Sequence, residues 1–95
     1  MADITTGKSD IVDHVAEKTG FTKKDSREAL NAVLDSITAA LQRGERVQLT
    51  GFGTFETRER SAREGTNPAT GEDMEIPAMT IPAFRAGKNL KEAVK

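Results

Sequence analysis

One histidine and no cysteine occur among the 95 residues, so the chemistry open to this chain is narrow. His14 follows Asp13 on a helical stretch and has no nucleophile partner at a recognisable spacing. It reads as a surface or dimer-edge histidine and not as a general base. A structural zinc site needs more sulfur or imidazole than one histidine supplies. Gly7-Lys8-Ser9 resembles the end of a phosphate-binding loop, but that motif requires a further glycine where Ala2 stands, and a strand before it. Glu72, Asp73 and Glu75 lack the glycine-containing spacing of a calcium loop and read as a solvated face. What remains is a set of arginines, Arg58, Arg60 and Arg63, followed by Asn67-Pro68. Guanidinium groups bind phosphate strongly, and glycine at 51 and 53 lets the backbone approach a phosphate closely. The competing reading of the arginines is a solvated strand face of mixed charge. No catalytic constellation, metal or cofactor is expected, so the chain reads as a non-enzyme with no small-molecule substrate.

The arginines sit within a stretch, residues 51–84, that reads as a tight turn, a strand, a polar excursion over 61–75 and a returning strand. Met74 is the one large aliphatic side chain of the excursion, which therefore builds no core of its own. A polar two-stranded ribbon is marginal alone. It is expected to reach out and hold something, and a nucleic-acid groove is the expected occupant. Residues 46–50, with Val47 and Leu49 pointing one way, supply a first strand; 54–60, with Phe55 on the core side, a second. A third is expected over 75–81, carrying Ile76 and Ile81, with Pro77 demoting it to an edge or bulge. Pro82-Ala83-Phe84 is expected to lead into a short last helix with Leu90 and Val94 inward and Arg85, Lys88, Lys91 and Lys95 on another side.

Two helices precede the strands. Thr6 or Gly7 caps the first, Ile11, Val12, Val15 and Ala16 form its apolar stripe, and Thr19-Gly20 stops it. Thr22, with Asp25 three residues on, starts the second. Ala29, Leu30, Val33, Leu34, Ile37, Ala40 and Leu41 then recur at helical spacing until Gly44. A short link between two amphipathic helices predicts an antiparallel hairpin. The fold class is α+β: a two-helix hairpin, a three-stranded antiparallel sheet with a long β-ribbon arm, and a short C-terminal helix. One domain over 1–95 is expected, with 1–7 a flexible leader and 61–75 the arm.

Removing the ribbon leaves a body of roughly 70–80 residues, a size at which one core seldom suffices. Disulfides are excluded, so an obligate dimer is expected. Its core would draw on Phe52, Phe55 and Phe84 from the sheet and Leu34, Ile37 and Leu41 from the second helix. No apolar run approaches membrane-spanning length, and the opening residues lack the pattern of a secretory signal. A cytoplasmic location without membrane partners is the expectation. The balance of 14 basic and 15 acidic residues, a net charge of −1, is not the usual footprint of a nucleic-acid binder. Binding would rest on where the charges sit.

Gly51-Phe52-Gly53-Thr54-Phe55, Arg60, Arg63, Gly65, Asn67-Pro68, Thr70 and the segment from Pro82 to Lys88 together resemble the HU / integration host factor family of histone-like bacterial DNA-binding proteins. The resemblance covers nearly the whole chain. It implies an intertwined homodimer or heterodimer, with the homodimer preferred, whose helices form a base, whose sheets form a saddle, and whose two arms embrace double-stranded DNA through the minor groove. By the same resemblance Pro68 is the intercalating wedge, with Asn67 beside it, a mechanism general to such minor-groove binders. Arg58, Arg60 and Arg63 fall on the arm, Arg85, Lys88 and Lys91 on the saddle and last helix, and Lys8 is a further phosphate contact. The function implied is architectural: binding and bending duplex DNA in the nucleoid with little sequence preference.

The arm departs from that family. Residues 58–81 carry three cations (Arg58, Arg60, Arg63) and five anions (Glu59, Glu64, Glu72, Asp73, Glu75), a balance of −2. Thr66, Glu72 and Thr80 stand where basic residues are common. Each lost phosphate contact lowers the salt slope by about one unit and lowers affinity. Weaker binding than that of a typical member is expected, leaning on bent or flexible DNA. Asn31 stands where some relatives carry an acid that pairs with the first-helix lysine; Asp13 is then the expected partner of Lys8. Two rival readings are a heterodimeric, sequence-preferring relative like integration host factor, and a fold relative with weakened DNA binding that serves as a protein-interaction module.

Overall fold

A computed structural model describes residues 4–95. Residues 4–7 of the expected leader precede the first helix without regular structure; residues 1–3 lie outside the described part. The chain forms two compact units, Met1–Thr38 and Ala39–Lys95.

In the first unit, α1 spans Lys8–Thr19. Gly7 is its N-cap: the Gly7 N–H donates to Asp10 Oδ2 at 2.8 Å, placing a carboxylate at the positive helix end. Gly20 closes α1 in the left-handed conformation, φ 78°, where its N–H reaches the Ala16 carbonyl. α2 spans Lys23–Gln42. Thr22 Oγ1 accepts from the Asp25 N–H at 3.0 Å, as the capping pattern predicts. Among the described residues one ion pair joins the two helices, Lys23 of α2 to Asp13 of α1 at 3.3 Å. Asp13 therefore belongs to Lys23, and the pairing with Lys8 expected from the sequence is not made.

The second unit holds five strands: β1 (Val47–Leu49), β2 (Gly53–Arg60), β3 (Arg63–Thr66), β4 (Asp73–Ile76) and β5 (Met79–Ala86), followed by α3 (Lys88–Ala93). β1, β2 and β5 form an antiparallel sheet in that order, and β3 and β4 pair as a ribbon. The returning chain differs from expectation in two ways. It is broken after Ile76 into β4 and β5, and Pro82, Ala83 and Phe84 lie inside β5 and not in a helical lead. β5 is an edge strand, which is where a proline without an N–H is tolerated. Val94, expected to face inward, is 77% exposed beyond the end of α3.

Among the described residues only Val12 and Ala40 are buried hydrophobics. Val33, Leu34, Leu49, Phe52 and Phe84 are each more than two-fifths exposed. Ring packing does occur locally: Phe84 lies 4.8 Å from Phe55 and 5.7 Å from Phe52, centroid to centroid. A chain that leaves this much apolar surface in water has not completed a core.

Candidate nucleic-acid interface

Strand alternation sorts the sheet into two faces. Val47, Phe55 and Phe84 lie opposite one another across the three strands, and Leu49, Gly53 and Ala86 form the next row. These make the apolar face. The row between them is Gln48–Thr54–Arg85, and Glu56–Ala83, Arg58–Ile81 and Arg60–Met79 continue the same face along the strands. Arg58, Arg60 and Arg85 thus share the polar face, although Arg85 is distant in sequence.

The turn before β2 explains the glycines. Gly51 has φ 86°, a conformation that favours glycine. Its carbonyl accepts the N–H groups of Asn89 and Leu90 at 3.1 and 3.3 Å, tying α3 to the turn. Gly53 does not have a positive φ; its constraint is space. A Cβ there would lie 2.4 Å from the Phe84 ring and 2.7 Å from the Arg85 carbonyl oxygen. Gly53 is buried between β1 and β5. The close approach to phosphate expected of it does not suit an enclosed backbone; its place is in letting β5 close on β2.

β2 and β5 continue into β3 and β4 in one register. The partners Gly53–Ala86 and Arg60–Met79 are followed by Arg63–Ile76 and Thr66–Asp73, with residues 61–62 facing 77–78 at an unpaired joint. Beyond the joint, Arg63, Gly65, Met74 and Ile76 share one ribbon face, while Glu64, Thr66, Asp73 and Glu75 share the other. The carboxylates are therefore segregated, with Glu64 directly opposite Glu75. Counted through the joint, Arg63 is out of phase with Arg58 and Arg60. The tip is closed by Asn67. Its N–H donates to the Glu72 carbonyl and its own carbonyl accepts from Gly71, both at 2.7 Å, while its Oδ1 accepts the Ala69 N–H at 2.9 Å. Asn67 thus organises the turn that leaves Pro68 exposed at the end of the arm.

Two of the arginines are not free. Glu56 Oε2 accepts from Arg58 Nε at 3.2 Å and from Arg85 Nη2 at 3.3 Å. Beside this trio runs an open groove of about 580 Å³ lined by Glu45, Arg46, Gln48, Glu56 and Arg85. Glu45 is held by a two-point contact from Arg43, at 2.9 and 3.0 Å. That hydrogen bonding, and then the charge of Arg43, keeps the Glu45 carboxyl below the usual carboxylate range and raises Arg43 in turn. Among the described residues Arg46, Arg60, Arg63, Lys88 and Lys91 make no ion pair. Arg46 was not singled out from sequence. Its alternation with Val47 and in phase with Gln48 is the signal that places it on the polar side. Lys8 opens α1 in the other unit, exposed and likewise unpaired among the described residues.

The geometry now meets the comparisons. An HU–DNA cocrystal structure from Anabaena is similar, with TM-score 0.89 and 53% identity over 94% of this chain and 97% of that one. HU from Thermotoga maritima matches at TM-score 0.67 and 37% identity, covering 95% and 100%. The HU protein of Geobacillus stearothermophilus is 59% identical over 88 residues, which is 93% of this chain and 98% of its own. Residues 6–95 match the family described as bacterial DNA-binding protein. The arginine-bearing sheet, the paired ribbon and its proline tip are thus features of an α+β chain that belongs to the bacterial DNA-binding protein family.

Proposed function

We propose that this chain, acting as one domain over 1–95 and as a homodimer, binds double-stranded DNA through the minor groove and bends it with little sequence preference. The observation that carries the reading is the single register from Gly53 to the tip. It joins an arginine-bearing face to an exposed Pro68 along one ribbon. Arg58, Arg60, Arg85 and Arg46 meet phosphates at the saddle, Arg63 meets them on the arm, and Lys88, Lys91 and Lys8 add contacts on the helices. Phosphate contacts position the duplex and carry no sequence information. Pro68 enters between base pairs, Asn67 holds the turn that presents it, and the unstacking cost of a few kcal/mol is offset by the wider contact of a bent duplex. Gly51 presents its turn to the backbone of the duplex, and Gly53 supports the sheet beneath.

The acids on the arm do not defeat this reading. Glu64, Asp73 and Glu75 share a face apart from Arg63, and the reading requires the ribbon to turn at the unpaired joint over 61–62 and 77–78 so that the Arg63 face meets the duplex. Homodimerisation is read from the apolar side chains that one chain leaves uncovered: Leu34 in the first unit, which also carries Ile37, and Phe52 and Phe84 in the second, which also carries Phe55 and Leu41. The chain is read as an architectural protein of the nucleoid and not as an enzyme. A cytoplasmic place belongs to this reading; no described helix is long and apolar enough to cross a membrane. The test is binding to a short intact duplex and to a nicked duplex of equal length across roughly 20–200 mM salt. Binding that falls steeply with salt and favours the nicked duplex is expected. Absence of binding at the lowest salt overturns the reading.

A further inference from the structure

The polar face of the sheet holds a group that opposes the function proposed for it. Glu56 lies on β2 between Thr54 and Arg58, opposite Ala83. Its side chain is 16% exposed, while those of Arg58 and Arg85 are 55% and 66% exposed. The carboxylate therefore sits low in the face and the two guanidinium groups extend over it. Both reach one oxygen, Oε2, at 3.2 and 3.3 Å. An oxygen of a phosphate makes the same kind of contact with two guanidinium groups. The anion position between Arg58 and Arg85 is thus already filled by the chain itself.

We infer that Glu56 is an internal competitor for DNA phosphate, holding Arg58 and Arg85 around its own carboxylate so that a duplex engages the pair only against that negative charge. The inference rests on the DNA-binding reading above. Two cations and one anion give this trio a net charge of +1, so one of the two arginine charges is cancelled before DNA arrives. Counterion release follows the charge delivered to phosphate, with a slope of about −0.9 per phosphate neutralised. Glu56 therefore lowers both affinity and salt slope without touching the arm. Arg85 completes the trio from β5, and its contact with Glu56 bridges 29 positions of sequence.

Glu56→Gln keeps the shape and an acceptor oxygen while removing the charge. Wild type and variant are compared on an intact duplex from 20 to 200 mM salt, and thermal unfolding establishes that both are folded. The variant is expected to bind more tightly at low salt, with a log–log slope steeper by about 0.9 per protomer, near 2 for a homodimer. Between 50 and 200 mM its affinity then falls about tenfold further than that of wild type. Arg85→Gln is expected to flatten the slope by a similar amount, and Glu56→Gln added to it to restore the loss. Should Glu56→Gln prove destabilised, that restoration, measured at a temperature where both Arg85→Gln proteins are folded, carries the test. Equal slopes, or weaker binding by Glu56→Gln, overturn the inference alone and make Glu56 a residue that orients the arginines for DNA. Binding by neither protein at any salt overturns the DNA-binding reading together with it.

Discussion

Replacing Gly53 with alanine is expected to destabilise this chain for lack of space and not for strain of torsion. The added methyl would lie 2.4 and 2.5 Å from two atoms of the Phe84 ring and 2.7 Å from the Arg85 carbonyl oxygen. Ordinary carbon contacts begin near ~3.5 Å, so neighbours must retreat by about 1 Å. The ring has little freedom to do so, since Phe84 is packed against Phe55 at 4.8 Å and Phe52 at 5.7 Å. The Arg85 carbonyl is fixed in the pairing of β5 with β2. Overpacking costs about 1–3 kcal/mol, and obstruction by both a ring and a backbone oxygen places this site near 3. At ~5 °C per kcal/mol for a chain of this length, the midpoint falls by about 15 °C. Gly20→Ala is the control: φ is 78° and nothing lies within 4 Å of the added carbon. It carries only the left-handed penalty, roughly 1–2 kcal/mol. Thermal unfolding followed by circular dichroism, at one protein concentration, separates the two. A Gly53→Ala midpoint within a few degrees of wild type, or above that of Gly20→Ala, would refute the closure of β5 over Gly53.

Three further outcomes are expected. Pro68→Ala removes the wedge from the tip, so energy transfer between dyes on the ends of an intact duplex should report a smaller bend, while binding to a nicked duplex declines less; an unchanged bend would count against the wedge. Leu34→Asp places a charge on a side chain that is 43% exposed in the single chain. In sedimentation velocity, wild type should run at twice the 10.3 kDa chain mass and the variant as monomer or unfolded chain; dimeric variant protein would contradict the proposed interface. Arg43→Gln should let the Glu45 carboxyl rise toward its ordinary range, read by NMR titration. Because Glu45 is lowered in the folded chain, the pair contributes above the ordinary carboxylate range. That contribution is lost as pH falls through the lowered folded value. An unchanged titration would remove Arg43 as the cause.

Local signals made most of the elements legible. Thr22 and Asp25 form the cap that their spacing implies, and glycine at 20 ends α1. A paired ribbon, β3 with β4, forms within the stretch where a polar excursion between strands is expected. Pairing across distance was not legible in the same way. The Glu56–Arg85 contact depends on the register of β2 against β5, which no local pattern states. Pro82 misled the reading of β5 because its tolerance depends on the strand being an edge, a property of the whole sheet. Gly53 reads from the sequence as a glycine that lets the backbone approach a phosphate, whereas its constraint is the Phe84 ring, which only the pairing of β5 with β2 places against it. The charge balance of the arm was legible as −2, but its sorting onto one face needed the pairing of β3 with β4.

The alternation of β2 ties the two proposed activities together. Its odd positions, Gly53 and Phe55, belong to the apolar face left for a second chain; its even positions, Glu56, Arg58 and Arg60, belong to the face offered to DNA. A slip of one residue would exchange the faces and put the arginines into the dimer interface. What prevents the slip is the fit of Phe84 between Phe55 and the bare backbone of Gly53, with Gly87 donating to the Phe52 carbonyl at 2.7 Å just beyond. The residues that look purely structural therefore decide which side chains a duplex meets. It follows that variants at Gly53 or Phe84 should lose DNA binding in step with stability, whereas variants at Glu56, Arg60 or Pro68 should alter binding in a chain that still folds. Mutations at Gly53 and Phe55 would then fall in one class, and those at Glu56, Arg58 and Arg60, of opposite parity on the same strand, in the other.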